Sequence, residues 1–250
     1  MLALTAPMAQ TFAALLLAHV IADFLLQPDW MVRRKREPAV LLAHIGVVGG
    51  LSLACLGGAW PVALGVAAAH LVIDAVKVWA LPPRLRDTAG AFCTDQIAHL
   101  ATLIVAALWV PGAAQSGLWA PWLDLLTIPA IALSGLILTV TAGGFAVGLL
   151  IAPYAAQVAA EGLPRAGKVI GQLERALIFL LVMIGQPAGI GFLIAAKSFL
   201  RFEASKEQKA SEYVIIGTLA SFGWALAIAS LTAALMDLVQ TLPDAPPGPE

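Results

Sequence analysis

Charge is scarce in this chain. Only 12% of its 250 residues are charged, while 60% are hydrophobic; a soluble domain carries roughly 25% charged residues. So few charges cannot cover a water-facing surface, which leaves lipid as the solvent for most of the molecule. The net charge is −1 and no basic face with interleaved aromatics occurs, so nucleic acid is excluded as a partner. There are two cysteines, Cys55 and Cys93, both inside apolar runs and forming no CxxC pair, and they read as small packing residues. The first ten residues carry no positive charge and the apolar stretch after them already holds His19 and Asp23, so the first helix reads as retained rather than as a cleaved signal. Histidine is absent after His99, which removes the second half of the chain as a source of imidazole ligands.

What is abundant is apolar sequence in runs of spanning length. A transmembrane helix needs about 20 mostly apolar residues, and on that rule the chain is an all-α, polytopic membrane helix bundle of about eight spans. They are expected at 10–28, 39–58, 61–81, 91–110, 124–150, 168–185, 187–201 and 212–239. The seventh is short and holds Gly189 and Gly191, so it is read either as re-entrant or as a hairpin with the sixth, turning at Gln186-Pro187. Three parts follow: a four-helix membrane domain over 1–112, a second over 113–240, and a proline-rich tail over 241–250 that is expected to be disordered.

Basic residues orient the bundle. Arg33 to Arg36 follow the first span, Arg84 and Arg86 the third; Arg165 and Lys168 precede the sixth, and Lys197, Arg201, Lys206 and Lys209 surround the end of the seventh. The intervening loops, 111–123 included, contain no Lys or Arg. With eight spans every basic loop lies on one side, the cytoplasmic side by the positive-inside rule, and both termini face away from it. Trp109, Trp119 and Trp122 then belong to the aromatic belt of the far side.

The four histidines form a pattern with aspartates. His19 and Asp23 lie on the first helix, His44 on the second, His70 and Asp74 on the third, and Asp95 and His99 on the fourth. Residues four apart share a helix face with Cβ atoms about 5–6 Å apart, so each pair can converge on one centre. Asp23 is ten residues before Arg33, His44 eight after Arg36, Asp74 ten before Arg84 and Asp95 nine after Arg86. Antiparallel helices therefore bring all the pairs to one level, two to three turns in from the basic loops.

Three buried aspartates need compensation, since each costs roughly 2.5–3.5 kcal/mol at the centre of a span. Lys77 can supply one charge, or it can snorkel to the interface. A divalent metal would compensate the rest; the competing reading is a structural His–Asp network. Imidazole with carboxylate suits zinc first, then manganese or iron(II), and argues against magnesium or calcium. Seven candidate ligands allow two ions, or one ion with some of the seven orienting the others. Gln27 and Gln96 are candidate hydrogen-bond partners or substrate contacts; Gln27 equally begins the interfacial turn at Pro28, Asp29 and Trp30.

His19-x-x-x-Asp23-Phe24-Leu25-Leu26-Gln27 with Trp30, followed by His44, His70-x-x-x-Asp74 and Asp95-Gln96-x-x-His99, resembles a bacterial inner-membrane family, domain of unknown function 3307. The resemblance covers about the first 110 residues; Gly171 to Arg175 and Glu212-Tyr213 look like the extension of its longer members. It implies a multi-pass inner-membrane protein and no defined activity. The His/Asp pattern is similar in style to that of membrane-bound metal-dependent hydrolases.

In the second half, the polar residues Lys168, Gln172, Glu174, Arg175, Lys197, Arg201 and Glu212 gather at the cytoplasmic end, mostly as interfacial groups. Glu174 stands out, one turn inside the sixth helix, with Lys197 or Arg175 as expected partner. Gly143, Gly144 and Gly148, like Gly189 and Gly191, allow close helix contacts.

Two functions from different classes fit. The first is a metal-dependent hydrolase of a lipid or lipid-linked phosphoester, with Asp23 or Asp95 as general base. The second is a divalent-metal or proton transporter, which needs polar residues continuing to the far side, where Ser52 and Thr102 are almost all there is. A third reading makes the cluster a structural lock.

Overall fold

The computed structural model describes residues 4–155, 165–202 and 208–243, with side chains omitted at 198–202 and 208. Lys206, the side chain of Arg201 and the tail beyond residue 243 lie outside the described residues. Among them every regular element is helical, with no strand. Six helices are long and apolar enough to cross a membrane: Ala6–Phe24, Pro38–Cys55, Trp60–Ala80, Ala89–Trp109, Ala120–Ala155 and Lys209–Gln240. The count of eight is not confirmed. Expected spans six and seven correspond to Ala166–Met183, which carries three charged residues, Lys168, Glu174 and Arg175, and Ala188–Phe202, an apolar helix too short to span.

The chain falls into two compact units, one running to Ser134 and resuming at Ala234, the other Gly135–Ala233. In the first unit the elements are α1 (Ala6–Phe24), α2 (Asp29–Arg34), α3 (Pro38–Cys55), α4 (Trp60–Ala75), α5 (Pro83–Arg86) and α6 (Ala89–Trp109). Proline stands in the first turn of α1, α3, α4 and α5, where its missing N–H has no intrahelical partner to lose. The short α2 has Asp29 in its first turn and Arg33 and Arg34 in its last, each matched to the helix dipole. Thr88 caps α6, accepting a hydrogen bond from the Ala91 amide at 3.2 Å.

Short connections make sequential long helices antiparallel neighbours. α1 packs on α3, α3 on α4, α4 on α6 and α6 back on α1, closing a four-helix ring. α1 is the most enclosed: 67% of its span is buried, against 22% in α3 and 28% in α6. The small residues Ala13, Ala18 and Ala22 face inward on α1 and permit that close approach. Outward stand Trp60, Leu64, Val72, Ile97, Val105 and Trp109, an apolar exterior suited to lipid. The turn after α3 depends on Gly57, with φ 68°; a Cβ there would lie 2.5 Å from the Leu118 nitrogen, whose N–H donates to the Gly57 carbonyl at 2.9 Å.

At the end of the unit away from the basic loops, the 111–122 segment is tied to α1. Thr11 Oγ1 donates to the Pro111 carbonyl at 2.6 Å and accepts from the Ala114 amide at 3.1 Å. Gln10 bridges Asp124 and Gln115 at 3.0 and 3.2 Å.

In the second unit a π turn, Leu138–Ala142, joins α7 (Leu123–Ile137) to α8 (Gly143–Ala155). α9 (Ala166–Met183) and α10 (Ala188–Phe202) form a hairpin through Gly185, at φ 69°. α11 (Gln208–Gln240) contributes Phe222 and Ala225 to a core with Ile178 and Ile190. Of the glycines expected to allow close contact, Gly189 abuts Leu181 and Gly143 abuts Trp224; Gly148 and Gly191 face open space.

Candidate metal centre

The four long helices of the first unit each project part of the polar set inward at one level. α1 supplies His19 and Asp23, α3 His44, α4 His70 and Asp74, and α6 Asp95 and His99. All seven are brought together. His70 is the hub: its ring stacks on His99 at 3.8 Å between centroids and lies 5.2 Å from that of His44 and 5.6 Å from that of His19.

Four atoms form the tightest group. His44 Nε2 and His70 Nε2 are 3.3 Å apart. Asp23 Oδ1 lies 3.4 Å from the first and 3.5 Å from the second, while Asp74 Oδ2 lies 3.7 and 3.5 Å from them. A tetrahedral ion with ligand bonds of about 2.0–2.2 Å has ligand–ligand edges of about 3.3–3.6 Å. The five separations are close to such edges. Asp23 Oδ1 and Asp74 Oδ2 are buried and accept no hydrogen bond, although an unsatisfied buried carboxylate oxygen is costly. The two carboxylate oxygens thus stand within 3.7 Å of two imidazole nitrogens, donor types that suit a divalent cation. Two overlapping triads here could hold a metal ion, His19 with Asp23 and His70, and His44 with His70 and Asp74.

A second grouping, Asp74, Asp95 and His99, is looser. His99 Nε2 lies 3.7 Å from Asp95 Oδ1 and 3.9 Å from Asp74 Oδ1. Ammonium groups occupy the remaining positions here. Lys35 Nζ donates to Asp74 Oδ1 at 2.8 Å, and Lys77 Nζ donates to Asp95 Oδ2 at the same distance. Lys77 therefore serves Asp95 on α6 and not Asp74 on its own helix. It sits in a π turn, Val76–Ala80, whose wider winding turns side chains away from the α register. Lys35 was read in the sequence only as an orienting charge. The signal is its place directly after α2, a short helix that packs next to α3.

Gln96 does act as a hydrogen-bond partner. Its Oε1 lies 3.3 Å from His19 Nε2 and its Nε2 donates to Asp95 Oδ2 at 3.3 Å, so one amide steadies both side chains. His19 Nδ1 is 3.9 Å from Asp23 Oδ1, outside hydrogen-bond range. Gln27 lies in the turn after α1; its Nε2 is buried without a partner, and it makes no contact with the cluster. Glu174 belongs to the second unit, where Lys197 Nζ donates to its Oε2 at 2.6 Å, the expected pair.

On the α1 side the polar cluster ends abruptly. Between it and the Gln10–Thr11 ties, the buried interior holds Leu15, Leu16, Val48, Val66 and Leu103. Thr102 spends its hydroxyl on the Ala98 carbonyl of its own helix.

Residues 11–125 match the family described as Protein of unknown function (DUF3307). This segment is a DUF3307 domain. All seven converging residues fall within it, as do Lys35, Lys77 and Gln96. No curated protein and no solved structure matches the chain. The DUF3307 segment also takes in the 111–122 loop fastened to α1, so the match spans the four-helix ring apart from the first residues of α1.

Proposed function

We propose that this multi-pass membrane protein is a metal-dependent hydrolase whose centre is the Asp23, His44, His70 and Asp74 shell, acting on a lipid or lipid-linked phosphoester. The reading rests on one observation: two imidazole nitrogens, His44 Nε2 and His70 Nε2, lie 3.4–3.7 Å from two carboxylate oxygens, Asp23 Oδ1 and Asp74 Oδ2, that are otherwise unsatisfied. Zinc suits this donor set best, with manganese or iron(II) as alternatives. An ion held by three of these four groups would keep a fourth position for water, whose pKa it would lower toward about 7, with the remaining group orienting the shell.

Charge counting favours one ion and an anionic substrate. Asp23, Asp74 and Asp95 carry three negative charges, and Lys35 and Lys77 neutralise two. One divalent ion then leaves the site at +1, which suits a phosphodiester and not a neutral ester. Asp95 is the better base than Asp23, because Asp23 Oδ1 lies within 3.5 Å of both ring nitrogens of the shell and would be taken up as a ligand. Lys35 and Lys77 lie at the edge of the cluster nearer the basic loops, where they can hold substrate phosphate oxygens. His19, held by Gln96, and His99, stacked on His70, orient the shell.

The apolar interior beyond the cluster speaks against a conduit. We assign the protein to the bacterial inner membrane with both termini on the non-cytoplasmic side. Replacing spans six and seven by a hairpin that returns to its own face keeps the parity of the eight-span reading, so each basic loop stays cytoplasmic. The test is elemental analysis of the full chain purified in detergent, together with turnover of a phosphodiester panel. About one divalent ion per chain and hydrolysis abolished by chelator are expected. Protein that is folded, metal-free and indifferent to added zinc, manganese or iron(II) would sink the reading.

A further inference from the structure

The second unit contains a cavity of about 470 Å³ among α8, α9, α10 and α11, unconnected with the metal reading. Arg175 of α9 lines it and is only 4% exposed. Its guanidinium donates through Nε and Nη2 to the Val140 carbonyl, at 3.2 and 2.9 Å, and through Nη1 to Ser221 Oγ at 3.2 Å. Val140 lies in the π turn, where the wider winding frees a carbonyl to accept these bonds. Three of the five N–H donors of the guanidinium are used in this way, and two are left. No carboxylate among the described residues lies within ion-pair distance of Arg175; the adjacent Glu174 is taken by Lys197 at 2.6 Å. Lys168, exposed and at the mouth of the same cavity, makes no ion pair among the described residues either. The lining therefore carries Lys168, Arg175 and Lys197 against one glutamate, a net +2 in a chain whose overall charge is −1.

The space itself is made by missing side chains. Gly148 and Gly167 line the cavity, and a Cβ on either would meet nothing within 4 Å. A Cβ on Gly144 or Gly171 would instead crowd the guanidinium at 3.1 Å, so glycine there keeps its nitrogens uncovered. Val147 and Ile151 supply an apolar wall.

We propose that this cavity binds a phosphate-bearing anion, with the phosphate oxygens on the free donors of Arg175 and on Lys168. Arginine's planar fork matches two phosphate oxygens at once, and a charge this deep in a membrane protein calls for a counter-ion. The apolar wall fits the glycerol and acyl portion of an anionic lipid; free phosphate is the other source of the same chemistry.

The experiment uses the full chain in neutral detergent, with thermal unfolding and native mass spectrometry as readouts. The probes are phosphatidylglycerol, phosphatidylcholine and inorganic phosphate. Wild type is expected to retain phosphatidylglycerol and to be stabilised by it, with phosphatidylcholine giving no response. Gly148→Leu fills the cavity without altering charge, and Lys168→Gln removes one exposed cation; both are checked for fold by circular dichroism. Lys168→Gln is expected to weaken binding about fivefold, the effect of one basic group near a lipid surface, and Gly148→Leu to abolish it. Saturation by inorganic phosphate, with phosphatidylglycerol inert, supports the site and assigns the free ion as its ligand. Equal binding of both lipids with no response to phosphate overturns the proposal, as does unchanged binding in folded Gly148→Leu and Lys168→Gln.

Discussion

Replacing His70 with alanine removes the side chain that neighbours Asp23, Asp74 and the other three histidines. Its Nε2 stands 3.3 to 3.5 Å from His44 Nε2, Asp23 Oδ1 and Asp74 Oδ2, so the variant loses one corner of the proposed shell. Structural zinc sites contribute about 10–16 kcal/mol of apparent binding free energy over four ligands. One ligand is then worth roughly 3–4 kcal/mol, or about two to three orders of magnitude in affinity. His19 provides the internal control. It sits at the same level but touches Asp23 only at 3.9 Å and is held by Gln96, so His19→Ala is expected to cost about 10–100-fold, as for a group that orients a ligand. Metal content per chain after dialysis against a graded chelator series gives both values. Thermal unfolding adds a second reading, because an ion at about 100 times its Kd stabilises the fold by about 2.7 kcal/mol. Wild type should lose that increment on chelation, and His70→Ala should lack it from the start. Equal metal retention in wild type, His19→Ala and His70→Ala would refute the assignment of the shell.

Lys35→Met removes an ammonium 2.8 Å from Asp74 Oδ1 and should raise metal affinity about tenfold, a change of about 1.4 kcal/mol, while weakening phosphoester binding; metal titration and KM would show opposite signs. Asp95→Asn should stay folded and metal-replete with turnover reduced about 10²–10⁴-fold, and a metal-depleted Asp95→Asn would move Asp95 from base to ligand. Gly57→Ala should lower stability by more than about 1 kcal/mol without changing metal content, because its left-handed backbone and the Leu118 amide leave no place for a Cβ; an unshifted unfolding temperature would count against that turn.

The His/Asp cluster was legible in the sequence because it obeys two local rules. Side chains four apart share a helix face, and the distance to a basic loop fixes depth, so His19 with Asp23 and His70 with Asp74 could be placed before any packing was known. The two lysines were not, because neither rule covers them. Lys35 reaches Asp74 only after α2 folds back beside α3, a long-range event. Lys77 stands three residues from Asp74 yet pairs with Asp95, since the π turn changes the register on which the spacing argument depends. The span count suffered from a related limit. α9 has the length of a span, but Lys168, Glu174 and Arg175 place a charged face on it that a count of apolar run lengths does not register, and α10 is apolar but too short. The Glu174–Lys197 pair was anticipated; that Arg175 would turn to a carbonyl released by the π turn was not.

Asp74 presents its two oxygens to different masters. Oδ2 faces the ring nitrogens of His44 and His70, and Oδ1 holds Lys35 at the end of the interfacial α2. One carboxylate has a fixed amount of electron density to share, so stronger donation on one side weakens it on the other. Occupancy of the buried shell and the docking of α2 are therefore thermodynamically linked, and the coupling acts with equal strength in both directions. A surface charge that draws Lys35 outward would tighten the grip on a cation, and loading that cation would loosen α2.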